Sequence, residues 1–243
     1  RGWYRGVLEL TDFYKPQTYY IQSFYSRQPM VHLAVFNTAD KTSQVWNDVS
    51  LDWQKMYDSW NFTAGESVQV AAFSNAEAVE LFLNGQSLGM KFMADCPRQK
   101  MVWSLPFAAG ELKAIARRDG RIVAEHVLRT AGPPRRVHLA ADRETLQADG
   151  QDLAFIRFTV EDNQGNLCPV NAPAVRFLVS GSGVNTGVAS GDMSSLESYQ
   201  GDTRKPYQGA GLLVVRATRQ PGMITVKAVA DGLESATLEL PAR

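Results

Sequence analysis

Residues 78–89 read AVELFLNGQSLG, and this stretch decides the fold. Val79, Leu81 and Leu83 alternate with Glu80 and Phe82, the period of two expected of a strand with one face in a core. Asn84-Gly85 follows at once. That dipeptide tolerates positive φ at both central positions, as a type I′ turn requires. Leu88 belongs to the returning strand, so the stretch predicts a β-hairpin.

Upstream of the hairpin, Val31, Leu33 and Val35 alternate with His32 and Ala34, and a further strand is expected at residues 68–73. Downstream, strands are expected at 101–105, 112–117 and 122–128, the last two joined by a second primed-turn signal, Asp119-Gly120. About seven short strands over residues 29–132 predict an immunoglobulin-like sandwich. Gly132-Pro133-Pro134 reads as a linker, because proline cannot donate to a ladder and stiffens the junction. A second sandwich pattern fills 133–243, with strands near 136–140, 154–160, 175–179, 213–217, 224–228 and 236–240. Two stretches break the rhythm and are read as long loops, the polar and aromatic 37–63 and the glycine-rich 181–211. Residues 1–28 differ again. Aromatics crowd KPQTYYIQSFY (15–25) and Pro16 suits a first helical turn, so a short helix is expected over 15–26. So aromatic a helix needs a partner surface. The fold class is all-β: two tandem immunoglobulin-like β-sandwich domains, 29–132 and 133–243, preceded by a short N-terminal helical segment.

Composition narrows the functional classes. The 243 residues are 44% apolar and 21% charged, enough to bury a core, and Lys+Arg balances Asp+Glu at 25 each. Nothing in that balance calls for nucleic acid or an anionic membrane, and no apolar run approaches the roughly 20 residues that span a bilayer. The chain begins Arg1-Gly2-Trp3, without a signal-peptide pattern, and is read as a piece of something longer. Cys96 and Cys168 fall in different sandwiches, so no disulfide is expected between them. His32, His126 and His138 are scattered in strand-like contexts, without HExxH or CxxC spacing, so neither a metal site nor a cofactor is expected.

The chain shows no nucleophile elbow, phosphate loop or dinucleotide fingerprint. Its isolated carboxylates, among them Glu80, Asp95, Glu111, Asp119 and Glu125, fall on polar faces or in turns. The candidate binding residues are Trp46, Trp53, Tyr57, Trp60 and Asn61. Aromatic faces beside amides and carboxylates suit a saccharide, whose C–H faces cover the rings while its hydroxyls take the polar groups. Equally, those rings can cap the core or bury against a neighbouring domain. Asn61-Phe62-Thr63 also fits a glycosylation sequon. In the second sandwich the polar stretch 191–204 is open to a calcium or ligand role, or to an ordered but inert loop.

Several motifs combine into a resemblance. Lys15-Pro16 with Tyr19-Tyr20, Pro29-Met30-Val31-His32-Leu33, Trp60-Asn61-Phe62, Ser74-Asn75 and the 79–89 hairpin resemble the region after the catalytic barrel in bacterial glycoside hydrolases of family 2. Residues 110–114, Asp119-Gly120 and Thr130-Ala131-Gly132 continue the pattern. ADGQDL (148–153) and VEDNQG (160–165) resemble the invasin-like immunoglobulin module that ends many of these proteins. The resemblance implies a retaining, β-galactosidase-like parent whose barrel supplies an acid/base glutamate, after an asparagine, and a nucleophilic glutamate. This chain has no Asn-Glu dipeptide and no barrel, so no catalytic residue carries over. It implies that 1–28 is the tail of the barrel, that the barrel is the partner with polysaccharide or oligosaccharide as a further one, and that the protein is periplasmic, secreted or at the cell surface. The tryptophan-bearing 37–63 departs from the family pattern. The alternative readings are a stand-alone carbohydrate-binding module and an adhesin spacer.

Overall fold

A computed structural model describes residues 6–46, 49–96, 98 and 100–243, with side chains described outside 37–54. The described residues form two compact units, one of residues 14–130, the other of the N-terminal segment through Phe13 together with 131–243. Residues 1–28 are read from sequence as one segment; its described part, 6–28, is divided between the two units at Phe13/Tyr14.

The first unit opens with α1 (Pro16–Tyr25), where Pro16 sits in the first turn. Proline lacks only a hydrogen that this position does not use. There follow β1 (Val31–Trp46), β2 (Val49–Tyr57), β3 (Ser67–Ser74), β4 (Ala78–Leu83), β5 (Gln86–Phe92), β6 (Lys100–Pro106), β7 (Glu111–Arg118) and β8 (Arg121–Arg129). They make two four-stranded antiparallel sheets, ordered β2-β1-β3-β6 and β5-β4-β7-β8. The inward rows meet in one core of Val31, Leu33, Val35, Val68, Val70, Val79, Leu81, Leu112 and their neighbours.

The 78–89 hairpin forms as β4 and β5. Asn84 (φ 51°) and Gly85 (φ 80°) take the left-handed conformations expected of them. Asn84 does more than turn the chain. Its Oδ1 accepts the Glu111 N–H at 2.8 Å, and its Nδ2 donates to the Ala109 carbonyl at 2.9 Å. Gly110 (φ 130°) lies so close that any side chain there would run into Asn84. The second turn repeats the chemistry, with Asp119 at φ 49° and Gly120 at φ 71°.

The 37–63 loop is a correction. β1 runs 16 residues to Trp46, and β2 returns from Val49 to Tyr57. They pair from Trp46↔Val49 to Lys41↔Gln54 and again at Phe36↔Met56 and Val35↔Tyr57. A polar composition hid the strands, because a ladder needs only backbone groups, and beyond Asn37 β1 pairs with β2 but no longer with β3.

The second unit contains β9 (Arg136–Ala141), β10 (Leu153–Glu161), β11 (Val175–Gly181), β12 (Gly183–Ala189), β13 (Thr203–Arg204), β14 (Ala210–Ala217), β15 (Gly222–Ala230) and β16 (Ala236–Ala242). Its sheets are ordered β12-β14-β10-β9 and β13-β11-β15-β16, around Ile156, Phe158, Phe177, Leu213, Ile224 and Val226. The glycine-rich stretch is the second correction, since β12 and β13 lie inside it. Gly183 permits the close approach, because a Cβ there would press into the Ile224 side chain. The two sandwiches and leading helix follow the expected fold class.

Candidate functional site

Of the aromatics nominated from sequence, the described ones, Tyr57 and Trp60, do not present exposed rings. Trp60 is fully buried, and its indole N–H donates to the Ala108 carbonyl at 2.9 Å. It packs edge-on against Phe107 and Phe62 at centroid distances of 5.0 and 6.2 Å. A ring so enclosed has no face for a sugar, so Trp60 is a core residue. Tyr57 and Asn61 are half-buried. The Tyr57 ring meets Phe62 edge-on at 5.7 Å, with the Lys55 ammonium 4.8 Å from its centroid. Trp46 lies on β1 and Trp53, opposite Thr42, on β2, and their side chains lie outside the described residues.

A different cluster does assemble, on the outer face of the sheet that holds β1 and β3. That face carries Ala34, Phe36, Ala71 and Phe73, all buried, and α1 covers it with Tyr19 and Tyr20. Tyr20 meets Phe73 at 5.1 Å, and its hydroxyl donates to the Arg98 carbonyl at 2.8 Å. The Lys100 ammonium lies 4.7 Å from the Tyr20 ring, and burial, then the neighbouring Arg98, lowers its pKa. Asn75 fixes the passage from α1 into β1. It accepts from the Met30 N–H and donates to the carbonyls of Ser26 and Gln28.

Tyr19 lies flat on His32 on β1, 3.5 Å between centroids and 9° between planes. His32 Nε2 is 2.8 Å from Asp58 Oδ1, just past the end of β2. The His32 ring also approaches that of His126, on β8, at 4.2 Å. Where β2 stops pairing, the Leu33 N–H has no strand partner on that side. His126 Nδ1 accepts it at 3.2 Å, an imidazole in the place of a ladder carbonyl. Burial, then the charge of His32, pushes the His126 pKa down to about 4.

Sequence reasoning missed this cluster because it sought histidines close together in the chain. The signal was elsewhere. VHLAVF (31–36) is a strand with nothing charged on either face, and such a strand is buried on both.

α1 is apolar on its other side too. Ile21 (45% exposed), Phe24 (46%) and Tyr25 (83%) form one stripe at i, i+3 and i+4, with Tyr14 (61%) preceding the helix. A helix apolar on both sides is ordinarily covered on both.

In the second unit Asp162 accepts four hydrogen bonds, from the N–H groups of Gly132, Gln164 and Asn166 and from Asn166 Nδ2. Burial works against its charge, but these donors outweigh it and hold the pKa at about 2. The Cys168 thiol is buried beside Asp162 and Glu161, which raise its pKa to about 11 after burial itself. Arg204 is 1% exposed. Its guanidinium donates to the carbonyls of Val188 (2.8 Å) and Ser198 (3.0 Å) and lies 5.0 Å from the Tyr199 ring. The 191–204 stretch is thus an ordered loop clasped on one buried cation.

Residues 137–239 match the family model "Glycoside hydrolase family 2 C-terminal domain 5", and residues 65–124 match a model described as a domain of unknown function. Over all 243 residues the chain is 34% identical to the beta-galactosidase BoGH2A of Bacteroides ovatus, covering 26% of that protein. It is 26% identical to a beta-glucuronidase of Formosa agariphila over 74% of this chain and 18% of that one. A crystal structure of a glycosyl hydrolase family 2 member from Bacteroides cellulosilyticus superposes with a TM-score of 0.90 and 33% identity, over 98% of this chain and 31% of that one. The chain thus spans less than a third of the length of these relatives.

Proposed function

Because the chain belongs to the C-terminal region of glycoside hydrolase family 2, we propose that it is a non-catalytic accessory region of a β-galactosidase- or β-glucuronidase-like enzyme. Its task is to prop the catalytic barrel, with α1 as the piece that touches it. One observation carries this reading. The inner side of α1 is seated on Phe73 and His32, while Ile21, Phe24 and Tyr25 stand exposed on the other. Burying such a side chain contributes about 1.5–3 kcal/mol. The proposal includes an extracytoplasmic location, which protease accessibility in intact cells tests.

The experiment has two arms. The purified 243-residue chain, given chromogenic β-galactoside and β-glucuronide, releases no chromophore; turnover above the blank refutes the non-catalytic role. In the parent polypeptide, Tyr25→Ser, at the most exposed position of the stripe, lowers the temperature at which hydrolysis is lost, while the isolated chain keeps its unfolding midpoint. An unchanged inactivation temperature refutes the contact through α1.

A second reading, glycan contact, is favoured by the half-buried Tyr57 and Asn61 at the end of β2. With Trp46 and Trp53 they make up the nominated surface once Trp60 is removed. Saccharide titration followed by tryptophan fluorescence tests it, and a flat response across a broad panel ends it.

A further inference from the structure

The first unit holds one arrangement that packing alone does not require. An imidazole closes a backbone gap at the point where a helix is seated. We propose that His126 is a proton-operated latch: neutral, it accepts the Leu33 N–H and closes the open edge of β1; protonated, it releases that edge and loosens the seat of α1 on His32.

The geometry supplies the mechanism. Nδ1 takes the Leu33 hydrogen at 3.2 Å only while it keeps its lone pair. A proton added there turns acceptor into donor, so two donors face each other. The new cation also lies against His32, whose ring is 4.2 Å away. His32 has its own acceptor in Asp58 at 2.8 Å and is stacked on Tyr19 of α1. The ionisable groups around the latch are therefore His32 on β1, Asp58 after β2, and Tyr19 on α1 with Tyr14 edge-on beyond it at 6.1 Å. On the latch's own sheet, Lys113 of β7 and Glu125 of β8 pair with each other at 2.7 Å. His126 alternates with Glu125 along β8, so that pair occupies the opposite face. No carboxylate in this set bonds to His126, and Asp58 is already engaged by His32.

Nuclear magnetic resonance of the whole 243-residue chain between pH 7 and pH 4 tests the latch. The His126 ring titrates near 4 rather than in the usual histidine range, and the Leu33 amide shift tracks it. Hydrogen-exchange protection of Leu33 falls by about 100-fold across that range, as linkage to a group moved from 6.5 to about 4 requires. The amide of Ile156, in the core of the other unit, keeps its protection. In His126→Asn the amide oxygen takes the place of Nδ1 without titrating, and the pH dependence at Leu33 disappears. A Leu33 amide that ignores the titration overturns the latch, as does a His126 ring that titrates near 6.5 or a His126→Asn chain with the wild-type profile. These measurements read this chain alone, so they fail or succeed independently of any contact with a barrel.

Discussion

Trp60 is where the sugar-binding and structural readings separate most sharply. Replacing it with phenylalanine removes the indole N–H and leaves the Ala108 carbonyl, now bonded at 2.9 Å, without its partner. An unsatisfied buried group costs about 1–3 kcal/mol. The smaller ring also leaves a void against Phe107 and Phe62, at about 24 cal/mol per Å³ of residual cavity. Trp60→Phe is therefore expected to destabilise the first unit by about 2–3 kcal/mol, and Trp60→Ala by about 3–5 kcal/mol. Urea unfolding followed by tryptophan fluorescence reports mainly on the first unit, which holds Trp46, Trp53, Trp60 and Trp103, against Trp3 alone in the segment grouped with the other unit. With a slope of about 1–3 kcal/mol per molar urea, the fluorescence midpoint falls by about 1 M for phenylalanine. Circular dichroism follows both units, and the transition of 131–243 stays in place. The reasoning is refuted if Trp60→Phe leaves the midpoint unchanged while abolishing a saccharide-induced fluorescence change.

Two further predictions concern the second unit. Asp162→Asn turns one of the acceptor oxygens into a donor among four donors and costs about 2–3 kcal/mol, read from the same denaturation by circular dichroism. Its folded pKa of about 2 lies below the ordinary 3.8, so the unfolded state binds the proton more readily. The Asp162 contribution is complete above pH 3.8 and is lost as pH falls through 2; wild type therefore loses midpoint between pH 5 and pH 2.5, and Asp162→Asn loses less. Arg204→Met strips the carbonyls of Val188 and Ser198 of their charged donor, with about 1.5–3 kcal/mol at stake for each such bond. It frees the fully exposed Leu196, so limited proteolysis cuts near that residue sooner than in wild type; equal rates of cleavage refute the clasp.

What could be read from sequence was local. Asn84-Gly85 and Asp119-Gly120 announce their turns because few dipeptides accept two successive positive φ values, and both turns form where expected. Pro16 likewise places the start of α1 within one residue. What could not be read depends on partners distant in the chain. The ladder of β1 with β2 is made of backbone groups, so Thr42, Ser43 and Gln44 enter it without any alternating pattern. β13 is two residues long, and its Arg204 is buried because carbonyls from β12 and from the loop at 197–198 converge on it. Trp60 drew attention through its amide and carboxylate neighbours in sequence, yet its nearest described rings are Phe107, 47 positions on, and Phe62.

The same distinction explains why the histidines looked unimportant. His32 and His126 stand 94 positions apart, on strands of different sheets, and only closure of the sandwich brings the rings to 4.2 Å. His32 sits on a strand whose two faces are both covered, by the core through Leu33 and by α1 through Ala34 and Phe36. A polar ring at such a place needs partners, and Asp58 and Tyr19 provide them. A hydrophobic residue at position 32 would fill the space under Tyr19 as well, but it could not engage Asp58. The seat of α1 thus contains ionisable groups where apolar packing would suffice. The outer stripe of that helix, with Phe24 half-exposed and Tyr25 nearly wholly so, contains no imidazole and no carboxylate. The outer stripe therefore brings no imidazole or carboxylate of its own to a contact, and on this chain's side acid sensitivity in what α1 holds enters from beneath the helix, through the His126 latch.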